Sequence, residues 1–221
     1  MATWLTHLRV ADALRRRLEP CGTIFLVGNL APDSSKFVRD GFDPPTAVTH
    51  HTLTDKSECD YDGFAKKYVD NSEGKRRIFY VGYFCHLMTD VLWSRRICIP
   101  CEKRFAEQFS KDEKAFYRRI KQNWHAVDFD YLHQHPKYAP IEEIRNFGRL
   151  PHGLLDYLPN RMIEYKIGFI TRYYDADREY DTDYSYLTCA ETEQFVQEAA
   201  MEIERELLKR GYAQRRSPND N

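Results

Sequence analysis

The residues best suited to chemistry are a histidine and an aspartate inside an otherwise apolar segment. Between Arg77 and Arg95 the only acid or strong base is the pair His86 and Asp90. Residues four apart lie one above the other on the same face of a helix. Burying an unpaired carboxylate costs several kcal/mol, so Asp90 needs either a hydrogen bond to His86 or a metal ion. The pair alone leaves both interpretations open.

Three further residues favour the metal. His7 falls beside Trp4 and Leu8 on the apolar side of a predicted helix, although a lone inward histidine can simply be a core residue. Asp33 lies in Ala-Pro-Asp-Ser-Ser, where an Asx turn or a helix cap is the alternative. His50 lies in a Thr-His-His-Thr loop, where surface exposure is the alternative. A single metal site would explain all five groups, and nitrogen and carboxylate ligands suit Zn²⁺, with Mn²⁺ or Fe²⁺ as substitutes.

The segments that carry these residues are predicted to be mostly helical. Apolar residues recur at helical spacing from Thr3 to Leu18, and Pro20 and Gly22 end that helix. The segment Arg77 to Arg96 is apolar on nearly every side, which places its helix in the centre of the fold. Further helices are predicted at about 60–71, 101–122, 124–133, 140–147, 160–174 and 188–211, the last opening with a capping box of Thr188 and Glu191.

Irregular structure is predicted from Gly28 to about Asp55 and in the Asp/Tyr-rich stretch 175–187. Strand signals are weak, and the best of them is Thr23–Val27. The fold class predicted from the sequence is therefore all-α, as a single compact multi-helix domain over residues 1–214 with a polar, disordered tail over 215–221.

Composition narrows the class of function. Lysine and arginine (33) nearly balance aspartate and glutamate (34), so no general attraction to nucleic acid or anionic membranes is expected. The sequence shows neither an export signal nor the ~20 apolar residues of a membrane span, and we expect a cytoplasmic protein. Its six cysteines are then expected to be thiols. Cys98 and Cys101 form one CxxC, which lacks the second pair of a four-cysteine zinc site and is expected to pack in the core.

Four segments resemble the zinc-dependent phospholipase C and P1 nuclease superfamily, especially its short bacterial members: MATWLTHLRVADALRRRL, FLVGNLAPDSS, DPPTAVTHH and FYVGYFCHLMTDVLW. The resemblance covers residues 1–96 well and the helical remainder loosely. It implies an all-helical fold that hydrolyses phosphodiesters or phosphomonoesters at a cluster of up to three zinc ions.

The resemblance also assigns roles to individual residues. His7 matches the histidine ligand of the first helix, and His50 matches the histidine that follows the proline-rich loop. Asp33 matches an aspartate that serves as a ligand and general base. His86 and Asp90 match the HxxxD pair, whose aspartate bridges two metal ions.

The chain also departs from the family pattern. His51 stands where an aromatic is usual, so it ranks below His50 as a ligand. Trp4 is internal and cannot supply the terminal amine that binds zinc in the secreted enzymes. Arg96 replaces the next histidine ligand, and its guanidinium could instead contact a substrate phosphate. The later HxxxE pair is missing, and His152 with Asp156 forms an HxxxD only in a Pro/Gly-rich context. These differences predict one or two ions rather than three.

The expected function is a metal-dependent hydrolase of a phosphate mono- or diester, with metal-activated water as the nucleophile. A small soluble ester is favoured over a membrane lipid, because no interfacial amphipathic helix is apparent. One alternative is an HD-like helical phosphohydrolase, which needs an adjacent His-Asp dipeptide that the sequence lacks. The other is a non-catalytic helical protein whose metal is structural or sensory, which predicts a site closed by four ligands.

Overall fold

A computed structural model of the chain describes residues 1–38, 41–53, 58–176, 178, 180 and 184–217. Helices make up 69% of the structure and strands 4%, which puts the protein in the all-α class that the sequence predicted. Among the described residues, no helix is both long enough and apolar enough to cross a bilayer.

Helices follow one another along most of the described chain. They are α1 (Trp4–Arg15), α2 (Thr23–Leu30), α3 (Thr46–Thr49), α4 (Tyr61–Phe64), α5 (Gly74–Trp93), α6 (Ile99–Arg104), α7 (Ala106–Lys111), α8 (Glu113–Gln134), α9 (Ala139–Arg145), α10 (Asn160–Asp175) and α11 (Cys189–Lys209). A 3₁₀ turn over Ala31–Ser34 follows α2, and π-helical turns over Ala65–Val69 and Ser94–Cys98 extend α4 and α5.

Two short antiparallel ribbons complete the secondary structure. The strands are β1 (Leu18–Glu19), β2 (Lys36–Val38), β3 (Gly41–Asp43) and β4 (Gln214–Arg215). β1 pairs with β4 and β2 pairs with β3. Beyond β4, the Arg216 backbone N–H donates to the Arg17 carbonyl. Arg215 and Arg216, the first residues of the predicted tail, are thus paired, and 218–221 lie outside the described residues.

The central position predicted for α5 is confirmed, since almost every residue from Phe79 to Trp93 is buried. α2 packs against α5 through two glycines. A Cβ on Gly28 would lie 2.1 Å from the Phe79 carbonyl oxygen, and a Cβ on Gly82 would lie 2.2 Å from the Phe25 carbonyl oxygen. Only glycine allows the two backbones to approach this closely.

The strand signal at Thr23–Val27 is wrong, because these residues form the first turns of α2. The irregular stretch predicted from Gly28 is also wrong at its start, since α2 continues to Leu30. Isolated β-branched residues made the segment look strand-like, but propensity is a weak preference that packing overrides. Here the packing partner is α5, which buries Phe25 and Leu26 completely.

The predicted helices at 101–122 and 124–133 have the wrong boundaries. The chain breaks at Phe105 and at Asp112, and α8 then continues through the expected gap to Gln134. Asp112 is a helix cap whose carboxylate accepts the Ala115 backbone N–H at 2.9 Å, so α8 begins there. The capping box of Thr188 and Glu191 is confirmed at the start of α11.

A buried carboxylate fixes the start of α1. The Asp128 side chain accepts hydrogen bonds from the Thr3 and Tyr174 hydroxyls, each at 2.8 Å. The Tyr174 oxygen in turn accepts the Leu5 backbone N–H at 3.0 Å. α8 and α10 thereby hold the first turn of α1 in place, and that turn carries His7.

Candidate metal centre

The five side chains predicted as metal ligands converge on one point. His7 comes from α1, Asp33 from the 3₁₀ turn after α2, and His50 from the end of α3. His86 and Asp90 lie one turn apart on α5. The side chains of His7 and His86 are completely buried, and those of His50, Asp33 and Asp90 are 8%, 10% and 13% exposed.

Asp90 lies between the three imidazoles. Its Oδ1 is 3.3 Å from Nε2 of His7, and its Oδ2 is 3.4 Å from Nε2 of His86 and 3.6 Å from Nε2 of His50. The second carboxylate also contacts His50, since Oδ1 of Asp33 lies 3.3 Å from His50 Nε2. The rings of His7 and His86 stack with centroids 3.8 Å apart.

The outer nitrogens of two histidines fix which nitrogen faces the cluster. His86 Nδ1 lies 2.7 Å from the Asn29 carbonyl, and His50 Nδ1 lies 3.1 Å from the Thr46 carbonyl. A carbonyl only accepts, so His86 Nδ1 carries hydrogen and its neutral ring presents the lone pair of Nε2 inward. His50 takes the same tautomer when its Nδ1 donates to Thr46 and does not accept from the Thr49 hydroxyl, 3.0 Å away. The two Nε2 atoms are 3.3 Å apart. Lone pairs and carboxylates gathered this closely repel unless a proton or a cation lies between them.

Two atoms of the cluster lack a well-aligned hydrogen bond. His7 Nε2 and Asp90 Oδ2 are buried and form none among the described residues, although an ion-pair partner lies 3.3 Å and 3.4 Å from them, respectively. A buried polar atom left unpaired costs about 1–3 kcal/mol. Imidazole nitrogen and carboxylate oxygen are ligands that zinc takes. The residues therefore fit the metal that the family resemblance implies.

The ligand atoms form two overlapping groups, within each of which all atoms lie within 4.8 Å of one another. One group is His7, His86 and Asp90, and the other is Asp33, His50 and His86. The ligand atoms of His50, His86 and Asp90 also lie within 3.6 Å of one another. His86 belongs to both groups, and the single lone pair of its inward Nε2 would bind one ion at a time.

Charge inside the cluster shifts the pKa values of its members. Burial alone would raise the pKa of Asp33, but the hydrogen bond to His50 and the neighbouring imidazoles outweigh it and lower that pKa to about 2. The same balance, with the amino-terminal charge and His7 as the main opposing groups, holds the pKa of Asp90 well below its usual range. Both carboxylates are therefore anionic at neutral pH.

The imidazoles shift in opposite directions. Burial, reinforced by His7, lowers the pKa of His86 to about 4. Burial also acts against protonation of His50, but the hydrogen bond to Asp33 and the charges of Asp33 and Asp90 raise its pKa. Without metal, these neighbours therefore favour protonation of His50 relative to a free imidazole. A metal ion would displace this proton, because a ligating imidazole must be neutral.

Two contacts at the cluster were not predicted from the sequence. The Asn29 side-chain amide lies 3.0 Å from the His7 carbonyl and 3.2 Å from the His86 backbone nitrogen, and so joins α1 to α5. The backbone N–H of Ala2 donates to Asp90 Oδ1 at 2.8 Å. A polar residue near the end of the apolar segment Thr-Ile-Phe-Leu-Val-Gly-Asn-Leu was the available signal for Asn29.

Arg96 is not brought to the cluster. Its guanidinium pairs with Glu202 and lies 3.6 Å from Glu198, both on α11. The phosphate contact suggested for Arg96 therefore has no geometric support, because the side chain is held by carboxylates elsewhere.

His51 points away from His50 and into a group of aromatic rings. Its Nε2 is 3.0 Å from the Tyr157 hydroxyl, and its ring meets Phe64 edge to face at a centroid distance of 5.1 Å. This is the environment that an aromatic residue at the position would occupy, and it leaves His50 as the ligand candidate of the loop.

The remaining motifs lie outside the cluster. Asp156 is exposed, where it pairs with Lys67 and accepts from the Tyr68 hydroxyl. Cys98 and Cys101 are buried free thiols. Burial raises the pKa of both, that of Cys98 to about 11, which favours the protonated form that packs in a core.

Two cavities flank the cluster. The smaller, of about 200 Å³, reaches Asp33, and the larger, of about 470 Å³, reaches Asp90. His50, Thr46 and Met1 line both cavities, so they meet at the cluster. The candidate ligands are therefore within reach of a small molecule.

Comparison with protein-family models, with curated proteins and with solved structures found no match to this chain. The family resemblance of residues 1–96 therefore stays a prediction. A proposal for the function rests on the geometry of the cluster.

Proposed function

We propose that this protein is a metal-dependent hydrolase of phosphate mono- or diesters with a helical fold of the phospholipase C and P1 nuclease type. Its metal would be one or two transition-metal ions, preferably zinc, with manganese or iron as substitutes. One observation carries the proposal: two carboxylates and the inward Nε2 atoms of His50 and His86 converge in a buried cluster that borders two cavities.

Each residue has a definite part in holding the ions. His86 would hold one ion through its inward Nε2, with the Asn29 carbonyl accepting from Nδ1 and fixing the ring. Asp90 approaches imidazoles of both groups, so its carboxylate would be a ligand in either group. Asp33 is anionic at neutral pH, which suits a ligand beside the smaller cavity, whereas the general-base role that the resemblance implies needs a pKa nearer to neutrality than about 2.

Access to the cluster supports catalysis over a structural role. Asp33, His50 and Asp90 line the two cavities, whereas a structural zinc site is closed by its four ligands. When bound, the ion supplies Lewis-acid activation of water and of the phosphoryl oxygen. The protein orients its imidazoles by hydrogen bonds to backbone carbonyls and admits the ester through the cavities.

The test is a panel of phosphomonoesters and phosphodiesters offered to chelated protein and to protein reloaded with zinc, manganese or iron. We expect hydrolysis only after reloading, and we expect Asp33→Asn to abolish it. Asp156→Asn is the matched control, because Asp156 also ends an HxxxD motif but is exposed and away from the cluster. Loaded protein that hydrolyses none of the esters would refute the proposal.

A further inference from the structure

Two lysines, the half-buried Lys166 and the exposed Lys121, line the smaller cavity together with members of the cluster. Lys166 belongs to α10 and Lys121 to α8, while Asp33 is the only carboxylate among the described lining residues of the cavity. At about 200 Å³ it is smaller than the ~300–1,000 Å³ of typical ligand pockets. A cavity of this size and charge suits a small anionic group.

Lys166 is held half-buried beside aromatic rings. Its Nζ lies 5.4 Å from the centroid of Trp4 and 5.7 Å from that of Phe169. Within the described part of the chain, no carboxylate comes within ion-pair distance of it. Burial lowers the pKa of Lys166, and the charge of Asp33 acts in the opposite direction. A partly dehydrated ammonium without a paired anion is a favourable position for an anionic ligand.

Hydrogen-bond donors near the cavity are also left without acceptors. Two of its lining residues, Ser35 and Trp124, carry buried polar atoms, Oγ and Nε1, that have no hydrogen-bond partner among the described residues. His125 also lines the cavity, with Nδ1 3.7 Å from Asp128. The wall therefore combines cations and spare donors, which is what an anion with several oxygens requires.

The larger cavity on the other side of His50 has a different character. Its described lining includes Ala47, Leu53, Leu87 and Val91, with Glu58 and Asp90 as its acids. It contains no lysine or arginine among those residues. This cavity suits the organic part of an ester, while the cationic cavity suits its phosphate.

From this asymmetry we infer that Lys166 and Lys121 bind the terminal phosphate of a phosphomonoester as its dianion, with the alcohol portion in the larger cavity. The inference rests on the proposed function and narrows its substrate class. A monoester carries about −1.5 to −2 charges at pH 7, whereas a diester carries one and has organic groups on both sides of its phosphorus. Two lysines and a single apolar cavity match the monoester.

The first experiment measures binding of inorganic phosphate by calorimetry, in metal-free and in zinc-loaded protein. Lys166→Met keeps the stem that packs on Trp4 but removes the charge, and we expect it to weaken binding by at least about tenfold. Lys121→Met should weaken binding as well. Lys166→Arg should retain binding, as should the exposed control Lys209→Met. Equal binding by wild type and the Lys121/Lys166 double Met variant, or no binding by any form, would overturn the inference.

The second experiment compares p-nitrophenyl phosphate with bis-p-nitrophenyl phosphate. We expect the Lys166→Met KM to rise about tenfold for the monoester and much less for the diester. Lysine-dependent phosphate binding without hydrolysis of either ester would sustain the anion site and refute the hydrolase. Hydrolysis that is faster for the diester and unchanged in the Lys121 and Lys166 variants would support the hydrolase and refute the anion site. Sedimentation with phosphatidylcholine vesicles, with and without phosphatidic acid, distinguishes a lipid headgroup from a soluble ester as the source of the phosphate.

Discussion

Replacing Asp90 with asparagine tests the metal cluster at its centre. Asp90→Asn keeps the volume of the side chain and its acceptor for the Ala2 N–H but removes the charge that a dication needs. The carboxylate lies within 3.6 Å of Nε2 of His7, His50 and His86, so its loss affects both ligand groups. Asp33 then remains as the only anion of the cluster. We expect the variant to lose its metal and any hydrolase activity.

The size of the effect follows from mass action. A ligand that binds only the native state, present at about 100 times its Kd, stabilises that state by about 2.7 kcal/mol. For a domain of ~150–250 residues, each kcal/mol moves the melting temperature by roughly 2–4 °C. We therefore expect EDTA to lower the wild-type melting temperature by roughly 5–11 °C. EDTA should leave the already destabilised Asp90→Asn protein almost unchanged.

The assay is a thermal melt of each protein with and without EDTA. Asp156→Asn serves as control, since an exposed ion pair contributes only about 0–1 kcal/mol, and its EDTA response should equal that of the wild type. An unchanged wild-type melting temperature in EDTA, together with an Asp90→Asn protein that melts like the wild type, would refute the assignment of Asp90 as a metal ligand. Asp90 would then be only a hydrogen-bond partner in the core.

Three further predictions concern the surroundings of the cluster. The His50→Ala variant should lose its metal, whereas the His51→Ala variant should keep it and lose only contacts with the surrounding aromatic rings. Elemental analysis of both variants measures this. Loss of metal in His51→Ala alone would make His51 the ligand of the loop. In metal-free protein, NMR titration should find His86 neutral down to about pH 4. The same titration should give His50 a pKa above the ordinary value of an imidazole. The unfolded chain binds a proton at His86 at about pH 6.5, whereas the folded protein binds it only at about pH 4. The free energy of unfolding should therefore fall as the pH is lowered from about 6.5 towards 4. A titration in which His86 is protonated at a higher pH than His50 would contradict this charge balance. Gly28→Ala should destabilise the protein by at least about 1–3 kcal/mol, whereas Gly148→Ala, whose Cβ meets nothing within 4 Å, should not; denaturant unfolding compares the two.

The sequence predicted the cluster because its residues conflict with their surroundings. His86 and Asp90 stand alone in an apolar helix, and His7 lies on the apolar face of another, so burial without a partner would be costly. Their spacing of four residues then placed His86 and Asp90 on one face of the helix. These are local signals, and the structure brings all five residues together as they suggested.

Other features depend on contacts that no local pattern contains. α2 is helical because Gly28 and Gly82 let it pack against α5, and its β-branched residues pointed to a strand instead. Arg96 could not be excluded from the site until α11 was placed beside it. Lys121 and Lys166 belong to helices far apart in the chain, so only the tertiary structure shows that they share a cavity with Asp33.

The most direct test of the metal centre is the metal content of protein purified without chelator, compared with that of His86→Ala. His86 is the residue common to both ligand groups, so its removal should disable both at once. We predict one or two transition-metal ions per wild-type chain, mostly zinc, and close to none in the variant. A wild-type chain that carries no metal, and takes up none on reconstitution, would contradict the account.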